Sequence, residues 1–308
     1  MEDIIKLLDK KALEFGDLPS YLLNFDRFLK RLQRERSTGV LYYYDDKIRI
    51  IVLIYQGKAF LAKVLNIPDY DDLTSINLLV QQIYAGVGKV SFYAVDKPLI
   101  IAIAGKYIGK PIYVQLDVDT IIPSRFFALL QKREFSGVVF YESPTETRYW
   151  LFQKGNPLNI IPGVLPPKGY LNVYALENIP LVDYFEEWEK EERKRIINFA
   201  QKVLTNVAKA LVERWGTSTT ELLLLPLENN YGSLKISFDK KNWTCKVESQ
   251  EETFYLAQEI ERLFAKILRE IRDRGEETFA EKLEISAFNL LQEEKVIWPN
   301  TGEKIFRR

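Results

Sequence analysis

The chain has 308 residues, 47% hydrophobic and 28% charged, enough to bury a sizeable core and to form two or three domains. Lysine plus arginine and aspartate plus glutamate balance at 43 each, so no global field singles out nucleic acid or an anionic membrane, and no apolar run approaches the ~20 residues of a membrane span. Histidine is absent and Cys245 is the single cysteine, which removes His-based metal and acid/base chemistry, intramolecular disulfides and cysteine-cluster metal sites.

Met1–Phe15 carries Ile4, Ile5, Leu7, Leu8 and Leu13 at helical spacing; it predicts an amphipathic helix packed on the segment from Leu18 onward, not a signal peptide. Phe28, Leu29 and Leu32 predict a short helix over Arg27–Arg34, broken at Ser37-Thr38-Gly39, where Gly39 is free to take a positive φ. Val40–Tyr44, Ile48–Tyr55 and Ala59–Val64 then read as three strands joined by turns at Asp45–Lys47 and Gln56–Lys58. Ile76–Tyr84 is helical, Gly86-Val87-Gly88 stops it, and Lys89–Val95 is a strand. Leu99–Ala104 and Pro111–Gln115 read as two strands joined at Gly105–Gly109.

The stretch Arg27–Ala62 recurs without a gap, 98 residues on, at Arg125–Ile160, with nine identities in 36 positions that include Phe28/Phe126, Leu32/Leu130, Gly39/Gly137 and Gly57/Gly155. Gly88–Asp96 is echoed at Gly169–Glu177, but Ile161–Lys168 is too short and proline-rich for the helix that precedes the first echo. The repeats span roughly Leu18–Pro98 and Val118–Pro180. From Tyr184 a charge run, Glu186–Arg195, leads into a long helix through Val212. Glu221–Leu227, Leu234–Phe238 and Trp243–Val247 read as a three-stranded meander. Phe254–Ile271 is a second long helix closed by Gly275, and Phe279–Leu291 is a third. The fold class expected is α+β: two tandem helix-plus-antiparallel-meander repeats, then a helix–three-stranded sheet–helix domain. The bounds are 1–98, a linking hairpin at 99–117, 118–183 and 184–308.

The segments Ser37-Thr38-Gly39-Val40-Leu41 with Tyr55-Gln56-Gly57, and Phe135-Ser136-Gly137-Val138-Val139 with Phe152-Gln153-Lys154-Gly155, resemble the amino-terminal domain of PatA-type response regulators. The chain departs from that pattern in lacking His-Ala after the second turn, and the first copy's turn reads one residue tighter. The resemblance covers two short stretches. It implies an interaction module beside bacterial signalling and motility regulators rather than an enzyme.

Ala104–Lys110 and Gly86–Lys89 mimic a phosphate loop but lack its opening glycine or its terminal hydroxyl, and read as ordinary turns. Asp45/Asp46, Asp69/Asp71/Asp72 and Asp117/Asp119 sit in turn-like stretches where solvated carboxylates are the default, and Cys245 has no histidine to activate it. No catalytic, cofactor or metal residues are assigned. Lys30, Arg31, Arg34 and Arg36, with Lys132 and Arg133, form a basic set on the repeat helix, near the aromatics Tyr42–Tyr44, Phe140 and Tyr141. Phe279, Leu283, Ala287 and Leu290 (with Leu291) form an apolar stripe that a three-stranded sheet leaves uncovered; it must pack on the repeats or on another chain, a homodimer being the simplest case. The expectation is a cytoplasmic, non-catalytic adaptor in bacterial signalling or motility that binds a protein partner. The alternatives are a nucleic-acid-associated protein using the basic and aromatic faces, and an enzyme of unrecognised type. Abundant charge with few thermolabile residues hints at a thermophile.

Overall fold

A computed structural model describes residues 7–8, 13–67, 70–159, 161, 165–166, 168–176, 182–228, 231–298 and 306. The protein is mixed α and β with antiparallel sheets, and it divides into two units, 1–185 and 186–308.

The first unit opens with strand β1 (Leu13–Pro19) and helix α1 (Phe25–Glu35), followed by β2 (Gly39–Tyr44), β3 (Arg49–Tyr55), β4 (Lys58–Val64), α2 (Asp72–Tyr84) and β5 (Lys89–Ala94). These strands form one sheet in the order β1-β5-β2-β3-β4. Helix α3 (Lys97–Ile108) follows. Then come β6 (Lys110–Asp117), α4 (Pro123–Lys132), β7 (Gly137–Glu142), β8 (Thr147–Gln153), β9 (Asn156–Pro157) and β10 (Tyr170–Ala175), a second sheet ordered β6-β10-β7-β8-β9. The strand orders are the same when β6 stands for β1 and β10 for β5.

Local geometry follows the same 98-residue offset. Arg36 and Glu134 leave their helices with φ of 49° and 50°, and the β3–β4 and β8–β9 turns are both two-residue turns, with φ 51°/81° at Gln56/Gly57 and 47°/78° at Lys154/Gly155. Two expectations fail at these positions. The first turn is not tighter than the second. And Gly39 does not take a positive φ: Arg36 makes that reversal, while a Cβ on Gly39 would lie 2.5 Å from both the Phe92 ring and the Tyr93 carbonyl.

Leu99–Ala104 is helix, not strand. Asp96 caps α3 by accepting from the Leu99 amide at 3.1 Å, and Pro98 occupies its first turn, where a missing N–H costs nothing. From Leu99 to Ala104 the helix is apolar all round because a sheet lies on either side of it. Ile100, Ile103 and Ala104 pack on Val40, Ile51, Leu53 and Leu61 of the first sheet. Ala102 packs on Val138, Phe140 and Leu151 of the second. Helices α1 and α2 cover the opposite face of the first sheet, with Phe28 edge-on to Phe92 at 5.4 Å. Helix α4 does the same on the second, where Phe126, Phe127 and Leu130 meet Val139, Tyr141, Trp150 and Phe152. The layers run helix, sheet, helix, sheet, helix. Pro111–Gln115 therefore belongs to the second sheet as an edge strand rather than to a linking hairpin.

The first sheet also starts earlier than the sequence suggested. Leu13–Phe15 is in β1, not in a helix; Ile4 and Ile5 lie outside the described residues, and Leu7 and Leu8 pack against the two sheet faces that meet α3. Both first strands bulge at a residue in the left-handed region, Asp17 (φ 53°) and Gln115 (φ 55°). In each, the freed amide finds a buried side chain on the neighbouring strand: Asp17 N donates to Ser91 Oγ at 3.0 Å and Gln115 N to Asn172 Oδ1 at 2.8 Å.

The second unit holds helix α5 (Tyr184–Trp215, from its third residue), α6 (Thr217–Leu224), hairpin strands β11 (Lys235–Asp239) and β12 (Thr244–Glu248), α7 (Thr253–Asp273) and α8 (Glu277–Glu293). Glu221–Leu227 is not a third strand: it falls in α6 and a following 3-10 turn, as a run of leucines, unbranched at Cβ, favours. What a third strand would supply to the hairpin comes from side chains. Thr205 Oγ1 and Gln201 Oε1 of α5 accept from the Cys245 and Val247 amides at 2.9 and 3.2 Å, and Glu228 accepts from Phe238 N at 3.3 Å. A two-stranded hairpin thus leaves room for all three long helices in one core.

Gly105 tests the layering of the first unit. In an open helix interior Gly→Ala gains about 0.5–1 kcal/mol. Here the new Cβ would stand 2.5 Å from Val138 Cγ1, so Gly105→Ala is expected to lower stability by about 1–2 kcal/mol through overpacking. Chemical denaturation reads the sign; a stabilised variant would mean that α3 does not lie against the second sheet.

Candidate functional site

Asn24 caps α1 by accepting from Arg27 N at 3.1 Å, and Phe25, Phe28 and Leu32 turn inward, which leaves Lys30, Arg34 and Arg36 exposed and Arg31 half-buried. The exposed charge is partly compensated. Arg31 pairs with Glu14 of β1 and lies 3.9 Å from Glu35, with its guanidinium 5.5 Å above the Phe28 ring; Arg34 pairs with Glu35 at 3.2 Å. Lys132 and Arg133 are exposed at the end of α4, where no ion pair joins them to another described residue.

These two basic sets do not merge. Because α1 and α4 lie on the outer faces of different sheets, with α3 between the sheets, they face away from each other. The aromatics named with them are core: Tyr43, Phe140 and Tyr141 are fully buried, Tyr42 is buried, and the Tyr44 hydroxyl donates to Asp17 at 2.8 Å. Rings that stack on bases must present a face to solvent; Tyr42, Tyr43, Phe140 and Tyr141 do not, and Tyr44 is half-buried.

The α8 stripe is also placed differently from the expectation. Leu283 (7% exposed) and Ala287 (3%) join Ala280 and Leu291 in the second unit's own core, beside Val203 and Val207 of α5. Phe279 and Leu290 are partly buried against the same core, with Phe279 edge-on to Trp215 at 6.1 Å. The stripe is covered within its own unit. The expected shortage of room on the sheet does not arise, because the sheet has two strands and the helices share one core.

The candidate carboxylates Asp45, Asp71, Asp72 and Asp117 hold backbone amides of turns, helix starts and a neighbouring strand. Burial works to raise the Asp45 carboxyl, but the Ile48 and Lys47 amides and the Tyr43 hydroxyl outweigh it and hold it below the ordinary range. Asp71 caps α2 by accepting from Thr74 N at 2.7 Å, which lowers it as well, and Asp117 accepts from Asp119 N at 2.9 Å. Asp69 lies outside the described residues. Burial pushes the Cys245 thiol up to about 12, the opposite of a reactive thiolate. Among the described residues no group of three His, Cys, Asp or Glu side chains could hold a metal ion, and no helix is long and apolar enough to cross a membrane.

Sequence reasoning missed two fully buried acids of the second unit, Glu192 and Glu261. The signal was there: Glu192 falls in line with Trp188 and Ile196, and Glu261 with Ala257 and Phe264, on the apolar stripes of α5 and α7. Comparison with protein-family models, with curated proteins and with solved structures finds no match to this chain.

Burial raises the Glu192 carboxyl, against the Ile297 amide and the Arg195 guanidinium that pull it down. A carboxyl held above its ordinary value of about 4.3 binds its proton more tightly folded than unfolded. Its stabilising contribution is therefore complete below that value and is lost as pH rises through the raised one. Glu192→Gln, which keeps an acceptor but cannot ionise, is expected to flatten the decline of the second unit's stability on the alkaline side of pH ~4.3. Urea midpoints measured across that range for both proteins check it; a wild-type advantage that grows with pH would contradict the sign.

Proposed function

We propose that the chain is a non-catalytic adaptor whose first unit is a duplicated interaction module and which binds a protein partner. The duplication is supported by the shared strand order, by the 98-residue register of the turns, and by the paired bulges at Asp17 and Gln115. The setting we assign, bacterial signalling or motility, rests on the resemblance of the two glycine-containing strand entries to PatA-type amino-terminal domains.

One observation carries the binding role. The 3-10 turn Ser20–Leu22 is tied to the loop before β5 by Ser20 N to Gly88 O at 3.1 Å and Ser20 Oγ to Val87 O at 2.6 Å. This brings Tyr21 (68% exposed), Leu22 (61%) and Val87 (44%) together on the surface of the first sheet's end. Large apolar side chains grouped in solvent mark interaction surfaces. The corresponding turn of the second sheet, Val118–Thr120, carries Asp119 and Thr120 in the places of Tyr21 and Leu22. The two modules would then share a scaffold, with the apolar contact reserved to the first.

The test is affinity capture from cell extract with the full chain as bait, comparing wild type with Tyr21→Asp/Leu22→Asp. Both positions are exposed, so stability is expected to change by no more than about 0.5 kcal/mol. A protein retained by wild type and lost from the variant is the expected result. Capture unchanged by the double substitution would remove this surface from the account.

A further inference from the structure

The two acids buried without exposed surface in the second unit hold the same short segment. Glu192 Oε1 of α5 accepts from the Ile297 backbone amide at 2.6 Å, while Oε2 meets Arg195 Nη1 at 3.0 Å. Glu261 Oε2 of α7 accepts from the Trp298 indole N–H at 3.3 Å. Around that indole the same two helices supply rings. Trp298 stands edge-on to Phe199 at 5.5 Å and to Phe306 at 4.8 Å, and Phe306 stacks on Phe264 at 5.4 Å. The chain reaches the site by a reversal at the end of α8, where Lys295 takes φ 51° and Lys202 of α5 pairs with Glu294.

If the segment served only to complete the core, apolar side chains at 192 and 261 would do so without the cost of burying polar groups. Two acceptors aimed at a backbone N–H and an indole N–H instead discriminate what docks. A site of this kind disfavours an occupant lacking those donors, because the carboxyl oxygens that now accept from Ile297 and Trp298 would lose those hydrogen bonds.

We propose that the groove between α5 and α7 is a binding site for an extended, tryptophan-bearing peptide, and that the chain's own Val296–Trp298 segment, with Phe306, occupies it in cis as a displaceable competitor. A partner segment of the same chemistry and the tail then exclude each other. This is a site separate from the Tyr21–Leu22–Val87 surface, and it stands or falls independently of it.

The test uses the full chain and a fluorescein-labelled peptide of residues 291–308, read by fluorescence anisotropy. Trp298→Ala empties the indole socket and is expected to bind the peptide at least ten-fold more tightly than wild type does. Adding Glu261→Leu, which removes the indole acceptor while keeping the site filled, is expected to abolish that gain. Equal binding by wild type and Trp298→Ala, or a gain unaffected by Glu261→Leu, would overturn the proposal. Hydrogen exchange on the unaltered chain decides it without any variant. The Ile297 amide and Trp298 indole N–H are expected to exchange through an opening that leaves the core amides of α5 and α7 protected; exchange only upon unfolding of those helices would show that the segment is not displaceable.

Discussion

The first unit depends on one helix being wanted by two sheets. Each sheet has a helix-covered outer face and an inner face rich in Val, Leu, Ile and Phe, and among the described residues α3, joined by Leu7 and Leu8, covers both inner faces. Ala102 and Ile103 are adjacent in sequence and pack into different sheets, one on either side of a helix that turns 100° per residue. Polar contacts then fix the helix in rotation. Lys106 reaches Glu142 at 2.5 Å, Glu142 accepts from Asn172 Nδ2 at 2.8 Å, and Asn172 in turn satisfies the bulge at Gln115. At the other end Lys97 lies 5.4 Å over the Tyr55 ring. The helix therefore carries the register of one sheet to the other.

Most of the local structure was legible in the residues, because it follows from short-range chemistry: the Gln56-Gly57 and Lys154-Gly155 turns, the β-branched and aromatic runs of β2 and β7, and the 3.6-residue stripes of α5 and α7. What was misread has a common cause. Leu99–Ala104, read as strand, is a continuous apolar run, and an apolar run gives no periodicity by which a buried helix can be told from a buried strand. Asp96-Lys97-Pro98 was the available signal, an N-cap followed by a first-turn proline. Glu221–Leu227 was misread for the same reason. The α8 stripe was read correctly as a stripe but given the wrong destination, since nothing local says that Gln201 and Thr205 will stand in for a missing strand. β1 was hidden because it is half-exposed and bulged at Asp17, so its alternation is interrupted.

For the functional sites, the residues singled out for their charge or their apolar stripe are those the fold consumes internally: Arg31 by Glu14, Leu283 and Ala287 by the core. The groups that offer something to a partner were unremarkable in sequence. Tyr21 and Leu22 acquire meaning only when the Ser20 hydrogen bonds seat them beside Val87. Glu192 and Glu261 acquire it only when two helices aim them at one tryptophan-bearing segment. Both features depend on partners far away along the chain, 67 residues for Ser20 and Val87 and 105 for Glu192 and Ile297, a range over which local patterning is silent.

The central claim is that α3 makes one cooperative structure of two sheets. Native-state hydrogen exchange across the first unit tests it most directly. The account requires the most protected amides of β2, β3, β7, β8 and of α3 from Ile100 to Ile108 to share one opening free energy, because no sheet can lose its inner cover without the other losing it too. Two distinct plateaus, with the α3 amides following one sheet while the other opens at lower free energy, would show that the helix belongs to a single sheet and that the shared-core account is wrong.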